Sequence, residues 1–114
     1  MTTVYTDAMM REQLAQAKAY TMVVLRRTAK YGMEGSDQLI WEHGRRNMGL
    51  RADGIMPIVC PVGDDTDLAG VSIFLDEPAT VASIMDGDPA VQAGVLSYTV
   101  HPCRGFPGSM LPAT

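Results

Sequence analysis

The sequence predicts an α+β fold, a four-stranded antiparallel sheet with its helices on one face. Three observations predict it. Runs rich in β-branched and aromatic residues recur four times along the chain. Two longer segments of helix formers fall between them, in the order strand, helix, strand, strand, helix, strand. Glycine- and proline-bearing breaks separate the segments. With 114 residues there is chain for one compact domain.

Asp7 to Lys18 is made of strong helix formers behind Thr6 or Asp7 as N-cap. Its apolar stripe is thin (Met10, Leu14, Ala17), which predicts a short helix or ordered extension. Tyr20 to Arg27 reads as the first strand, and Tyr31 to Gly35 as a loop. Ser36 is a plausible N-cap for a helix running to about Arg51, closed by Gly54. Ile55 to Val62 reads as a second strand, made irregular by Pro57 and Pro61. A turn at Gly63 to Asp67 leads to a third strand, Leu68 to Leu75. Ala79 to Met85 forms the second helix, Asp86-Gly87-Asp88-Pro89 breaks it, and Ala90 to Ala93 adds a further turn. Val95 to His101 is the fourth strand, and the proline-bearing tail from Pro102 is expected to be irregular. The order is the split βαβ pattern of a ferredoxin-like βαββαβ fold. The chain divides into an N-terminal helical extension (1–19), an α+β domain (20–102) and an irregular tail (103–114).

Composition narrows the class. Hydrophobic residues make up 46% and charged residues 19%, enough to build a core and too apolar for disorder. A net charge of −4 argues against nucleic acid and anionic membranes as partners. No apolar run approaches the ~18 residues of a transmembrane helix, and Met1 to Asp7 lacks the pattern of a signal peptide. Two cysteines, Cys60 and Cys103, are too few for a disulfide scaffold. The expectation is a soluble, cytoplasmic protein.

The strands predict a partner. A half-exposed antiparallel strand alternates apolar and polar residues, yet Met22-Val23-Val24-Leu25 and Leu68 to Leu75 are apolar on nearly every position. Two helices cover one face only. The other would expose roughly several hundred Å2 of apolar surface, which monomers rarely tolerate. A second copy packed sheet on sheet, as a homodimer, is the economical cover. Shielding by the N-terminal segment is the alternative.

Polar residues interrupt the first long helix. With Ile40 facing inward, steps of three and four place His43, Asn47 and Leu50 on the same face, with Arg46 beside His43. Inward polar groups must be paired or must line a cavity. Asp88 before Pro89 reads first as a cap for the next turn, but a carboxylate has a second oxygen to share. A histidine held by a carboxylate makes a general base, although spacing alone does not show that His43 and Asp88 meet. A satisfied helix histidine near the edge is the alternative. His43, Cys60 and His101 lack metal-ligand spacing, and no cofactor is expected. His101 reads as an edge residue, Cys60 as a small buried hydrophobe, and nothing marks Cys103 as a nucleophile.

Three segments carry a resemblance. His43 is followed eleven residues later by Gly54, with Arg46 and Leu50 between. Asp88-Pro89-Ala90-Val91-Gln92-Ala93-Gly94-Val95 has an Asp-Pro to Ala-Gly signature, and Tyr98-Thr99-Val100-His101-Pro102 closes the domain. In these the chain resembles the YciI-like (YCII-related) family of the dimeric α/β-barrel superfamily, over about residues 20 to 102. The resemblance implies a homodimer with its two sheets face to face. It also implies a His-Asp dyad, here His43 and Asp88, in a cleft between helices and sheet. Some members of the family eliminate chloride from chlorinated aromatic diols, and relatives in the superfamily isomerise lactones or oxygenate phenols without a cofactor. Asn47, where the family usually has an aliphatic residue, departs from the pattern, as do the N-terminal extension and the Phe106-Pro107-Gly108 tail.

Three functions fit this reading. The first is a cofactor-free lyase or isomerase acting on a small cyclic or phenolic substrate. There His43 takes a proton, Asp88 orients it, and Arg46 or Asn47 holds an anionic oxygen. The second is a non-catalytic small-molecule-binding dimer using the same cleft. The third is a structural dimer, which predicts an apolar or closed cleft with His43 exposed and unpartnered.

Overall fold

A computed structural model describes residues 2–114; Met1, the first residue of the expected extension, lies outside them. The elements are α1 (Asp7–Gln16), β1 (Lys18–Arg27), α2 (Ser36–Ala52), β2 (Ile58–Pro61), β3 (Leu68–Phe74), α3 (Pro78–Asp86), α4 (Pro89–Gln92) and β4 (Leu96–Gly105). The four strands make one sheet in the order β2-β3-β1-β4, with every neighbouring pair antiparallel. The α+β class and the four-stranded antiparallel sheet agree with the sequence reading.

One face of the sheet forms the core. Thr21, Val23 and Leu25 of β1, Ser72 and Phe74 of β3 and Leu96 of β4 are buried, together with Val81 and Met85 of α3 and Ala90 of α4. In register, Val23 stands between Ser72 and Val100, and Thr21 between Phe74 and Pro102. Burying a side chain of the size of Phe74 or Met85 contributes about 1.5–3 kcal/mol. Thr21 lies in this apolar row because its hydroxyl donates to the Asp76 carbonyl at 2.7 Å.

The opposite face carries two cross-strand rows. Ile58, Ile73 and Met22 align in one, and Cys60, Val71 and Val24 in the next. None of these six belongs to the core cluster or packs against it. The N-terminal helix does not shield them, since α1 buries none of its own residues.

Several boundaries differ from expectation. Ser36 is not the N-cap of α2. That position falls to Gly35, whose φ of 85° starts the helix from the left-handed region where glycine carries no steric penalty. The Ser36 hydroxyl instead accepts from the Gly32 backbone N–H at 3.0 Å. β2 is shorter than Ile55 to Val62: its regular pairing runs from Ile58, after Pro57, to Pro61, while Ile55 and Val62 each keep a single backbone bond, to Leu75 and Ala69. The irregular tail begins after Gly105 rather than at Cys103, and the sheet begins at Lys18 rather than Tyr20. β4 continues through Pro102 as far as Gly105, opposite Lys18. β4 is an edge strand, and an edge tolerates a residue without an N–H.

The pairing of β1 with β3 shifts between Leu25 and Arg26, leaving Ala69 as an extra residue on β3. Such a bulge bends the strand and re-aims side chains. Here it sits where the 62–67 loop folds back on the end of β1, and the Arg27 N–H donates to the Asp67 carbonyl at 2.7 Å. No helix among the described residues is long and apolar enough to cross a membrane.

Candidate active site

The helical period places Ile40, His43, Asn47 and Leu50 on the sheet-facing side of α2, as their spacing predicts. Ile40 and Leu50 pack against the core, and Asn47 is buried between them. The two polar residues of that row find partners. His43 Nδ1 lies 2.6 Å from Asp88 Oδ2, and Asn47 Nδ2 lies 3.1 Å from His43 Nε2. The His43 side chain is 12% exposed and that of Asp88 1%.

Asp88 is positioned by local chemistry. α3 ends at Gly87, and Asp88 is the N-cap of the short helix α4, with Pro89 pre-set for its first turn. Its Oδ1 accepts from the Ala90 and Val91 backbone N–H groups at 2.9 and 3.2 Å. Oδ2 is thereby left for His43. The capping role and the dyad role read from the sequence are both present, one on each oxygen.

Burial pushes the Asp88 carboxyl up. The His43 hydrogen bond and charge, with the Val91 and Ala90 N–H groups, outweigh it and hold the group below its ordinary 3.8. An ionised Asp88 accepts only, so His43 Nδ1 carries the proton and Nε2 is the basic nitrogen. In the neutral ring that lone pair receives the Asn47 amide N–H.

His43 and Asn47 open onto a cavity of about 270 Å3 between α2 and the sheet. Its walls include Leu25, Ile40, Met56, Met85 and Leu96. The floor on β3 is formed by Gly70 and Ser72, two small residues in the row that Phe74 continues. Their size leaves the space open. The arrangement can present an imidazole nitrogen, oriented by a buried carboxylate, to a small molecule in a largely apolar cleft.

Arg46 is placed elsewhere. It does not line this cavity; its guanidinium lies against Gly87, where a Cβ would stand 2.9 Å from Nη2. Arg46 Nη1 is buried and has no hydrogen-bond partner among the described residues. The structure therefore brings His43, Asp88 and Asn47 together and leaves Arg46 outside their cleft. His101 sits on the edge strand with Nε2 2.8 Å from Thr99 Oγ1. Cys60 and Cys103 are half-buried free thiols.

Three polar lining residues are not singled out by the sequence: Arg27, Tyr31 and Ser72. A signal for Arg27 existed, since strict alternation from Val23 and Leu25 puts it on the helix-facing side. No group of three or more metal-ligating side chains occurs among the described residues. Comparison of the chain with protein-family models and with curated proteins finds no match.

Proposed function

We propose that the chain is a cofactor-independent enzyme of the lyase or isomerase type, in which His43 and Asp88 move a proton on a small cyclic or phenolic substrate. The observation that carries this reading is the 2.6 Å contact between His43 Nδ1 and Asp88 Oδ2 beside an open cleft. The carboxylate fixes the tautomer and stabilises the imidazolium formed when Nε2 takes a proton. Asn47, next to Nε2, is placed to hold an oxygen that gains negative charge. The strand order β2-β3-β1-β4 supports a ferredoxin-like fold of the kind the YciI-like resemblance implies. The half-buried apolar rows of Ile58, Ile73, Met22 and Cys60, Val71, Val24, which lie outside the core, support a homodimer formed sheet on sheet.

The test is a thermal-shift screen of small phenols, lactones and hydroxy acids, followed by turnover assays on the hits. A substrate turned over by the native chain and not by His43→Ala or Asp88→Asn supports the proposal. Unchanged turnover in both variants overturns it.

One observation favours a second reading, a binding protein without turnover. The Asn47 amide donates to the nitrogen that would act as base, so the resting ring has no free lone pair. That reading expects a ligand-raised melting temperature with no product.

A further inference from the structure

Arg26 and Arg27 are neighbours in sequence with opposite surroundings. Arg26 is exposed and ion-paired with Asp67 at 2.9 Å. Arg27 turns to the helix side, lines the cavity with His43 and Asn47, and makes no ion pair among the described residues. Its guanidinium is nevertheless held in place. Nη1 donates to the Thr66 carbonyl at 2.7 Å and Nη2 to the Val62 carbonyl at 2.9 Å. Its central carbon lies 5.3 Å from the centre of the Tyr31 ring, within cation–π range.

These contacts hold the guanidinium through two main-chain carbonyls; the Asp64 carboxylate feels its charge but makes no ion pair with it among the described residues. Of the five N–H groups of the fork, three make no hydrogen bond among the described residues. The nearby Asp64 is engaged locally, its Oδ1 accepting from the Thr66 backbone N–H at 2.9 Å and from the Thr66 hydroxyl. Among the described residues, no aspartate or glutamate lines the cavity. In a chain of net charge −4, this cleft is lined by an unpaired cation, an imidazole, an amide and a hydroxyl among apolar walls. A fixed guanidinium in a part-buried site is a strong recognition element for a carboxylate, and its pre-set position lowers the ordering cost of binding.

We propose that the cavity selects a small organic anion, a monocarboxylate with a flat or compact apolar body, and that Arg27 is the residue that pairs with the carboxylate. The apolar body lies against Leu25, Ile40, Met56 and Leu96 over the small floor at Gly70 and Ser72. A volume of about 270 Å3 suits a single ring bearing few substituents. The proposal rests on the reading that the cleft is a ligand site, and it adds the charge of the ligand and the residue that selects it.

The test compares benzoate with benzamide, flat ligands of similar size that differ in charge, by amide-resolved NMR titration of the full chain. Benzoate is expected to shift the resonances of Asn47, Ser72 and Tyr31 and to bind at least tenfold more tightly than benzamide. Arg27→Gln is expected to erase that preference and Arg27→Lys to restore part of it. Arg46→Gln, which removes a charge outside the cleft, is expected to keep it. Equal affinity for the two ligands in the native chain overturns the proposal, and that result needs no variant to fold. Benzoate binding away from the cleft, no benzoate binding up to the solubility limit, or a preference that survives in folded Arg27→Gln each overturn it as well. A native chain that binds phenol and benzamide but not benzoate overturns the anion proposal and leaves the ligand-site reading standing.

Discussion

Asn47 Nδ2 lies 3.1 Å from His43 Nε2, and Asp88 Oδ2 lies 2.6 Å from His43 Nδ1, so the imidazole is held at both nitrogens. The two partners act in opposite senses. The carboxylate orients the ring and fixes its tautomer, while the amide occupies the lone pair on Nε2 that a base would use. A substrate hydroxyl or carbon acid must displace the Asn47 N–H before a proton can move to Nε2.

Removing that amide should therefore expose the base. Asn47→Ala is expected to react several-fold faster than the native chain with diethyl pyrocarbonate, which attacks an unprotonated imidazole nitrogen. The rate is followed by absorbance, with His43→Ala giving the contribution of the exposed His101. The lost hydrogen bond should lower stability by about 0.5–1.5 kcal/mol, read by urea unfolding. An unchanged rate would show that the amide does not guard the nitrogen.

The dyad predicts a turnover pattern. Against any substrate found in the screen, His43→Ala should lower kcat by about 10²- to 10⁴-fold, the usual contribution of a positioned base. Asp88→Asn should approach the same loss, because an amide NH2 facing Nδ1 favours the tautomer with its proton on Nε2. Circular dichroism of both variants checks that the fold is retained.

Asp88 also sets an acid limb of stability. Its carboxyl lies below the ordinary 3.8 in the folded chain, so the unfolded chain binds more protons in that range. The stabilisation is fully present above about pH 4 and is lost as pH falls through the lowered folded value. Thermal midpoints measured from pH 2 to 6 should fall on this limb in the native chain and fall less steeply in Asp88→Asn.

Arg46 offers a contrasting substitution. Its Nη1 is buried without a partner among the described residues, and an unsatisfied buried donor costs about 1–3 kcal/mol. Arg46→Met keeps the length of the side chain and removes that donor. Denaturant unfolding should show unchanged or raised stability, and ligand affinity in the cleft should not move, since Arg46 does not line it.

The half-buried apolar rows of the outer sheet face predict the state of assembly. The native chain should sediment at twice its 12.3 kDa mass, and Ile73→Glu, which puts a charge in the centre of the Ile58-Ile73-Met22 row, should sediment at 12.3 kDa. A native chain that stays at the single mass at high concentration would remove the homodimer from the proposal.

Much of this architecture was legible in the residues, and the physical reasons are specific. β-branched runs and helix formers with glycine and proline breaks gave every element its place. The steps of three and four from Ile40 gave the inward row of α2, and the Asp-Pro pair gave the cap of α4. What escaped were features set by long-range contacts. Pro102 was read as the end of the sheet because a missing N–H matters less at an edge than the sequence alone can tell. Helical neighbourhood alone groups Arg46 with His43, yet only its packing against Gly87 decides where it points. Arg27 does not stand out in the sequence because a charged residue at a strand end usually faces water, and the bulge at Ala69 and the returning 62–67 loop are invisible without register.

The divided carboxylate of Asp88 has a consequence for how such a protein could decay. One oxygen closes the first turn of α4 and the other steadies the imidazole. Drift that abolished the chemistry could discard His43 at little structural cost, but the acid would have to stay for the backbone's sake. An inert descendant would be known by an intact aspartate facing a vanished histidine, and the reverse pattern would be rare.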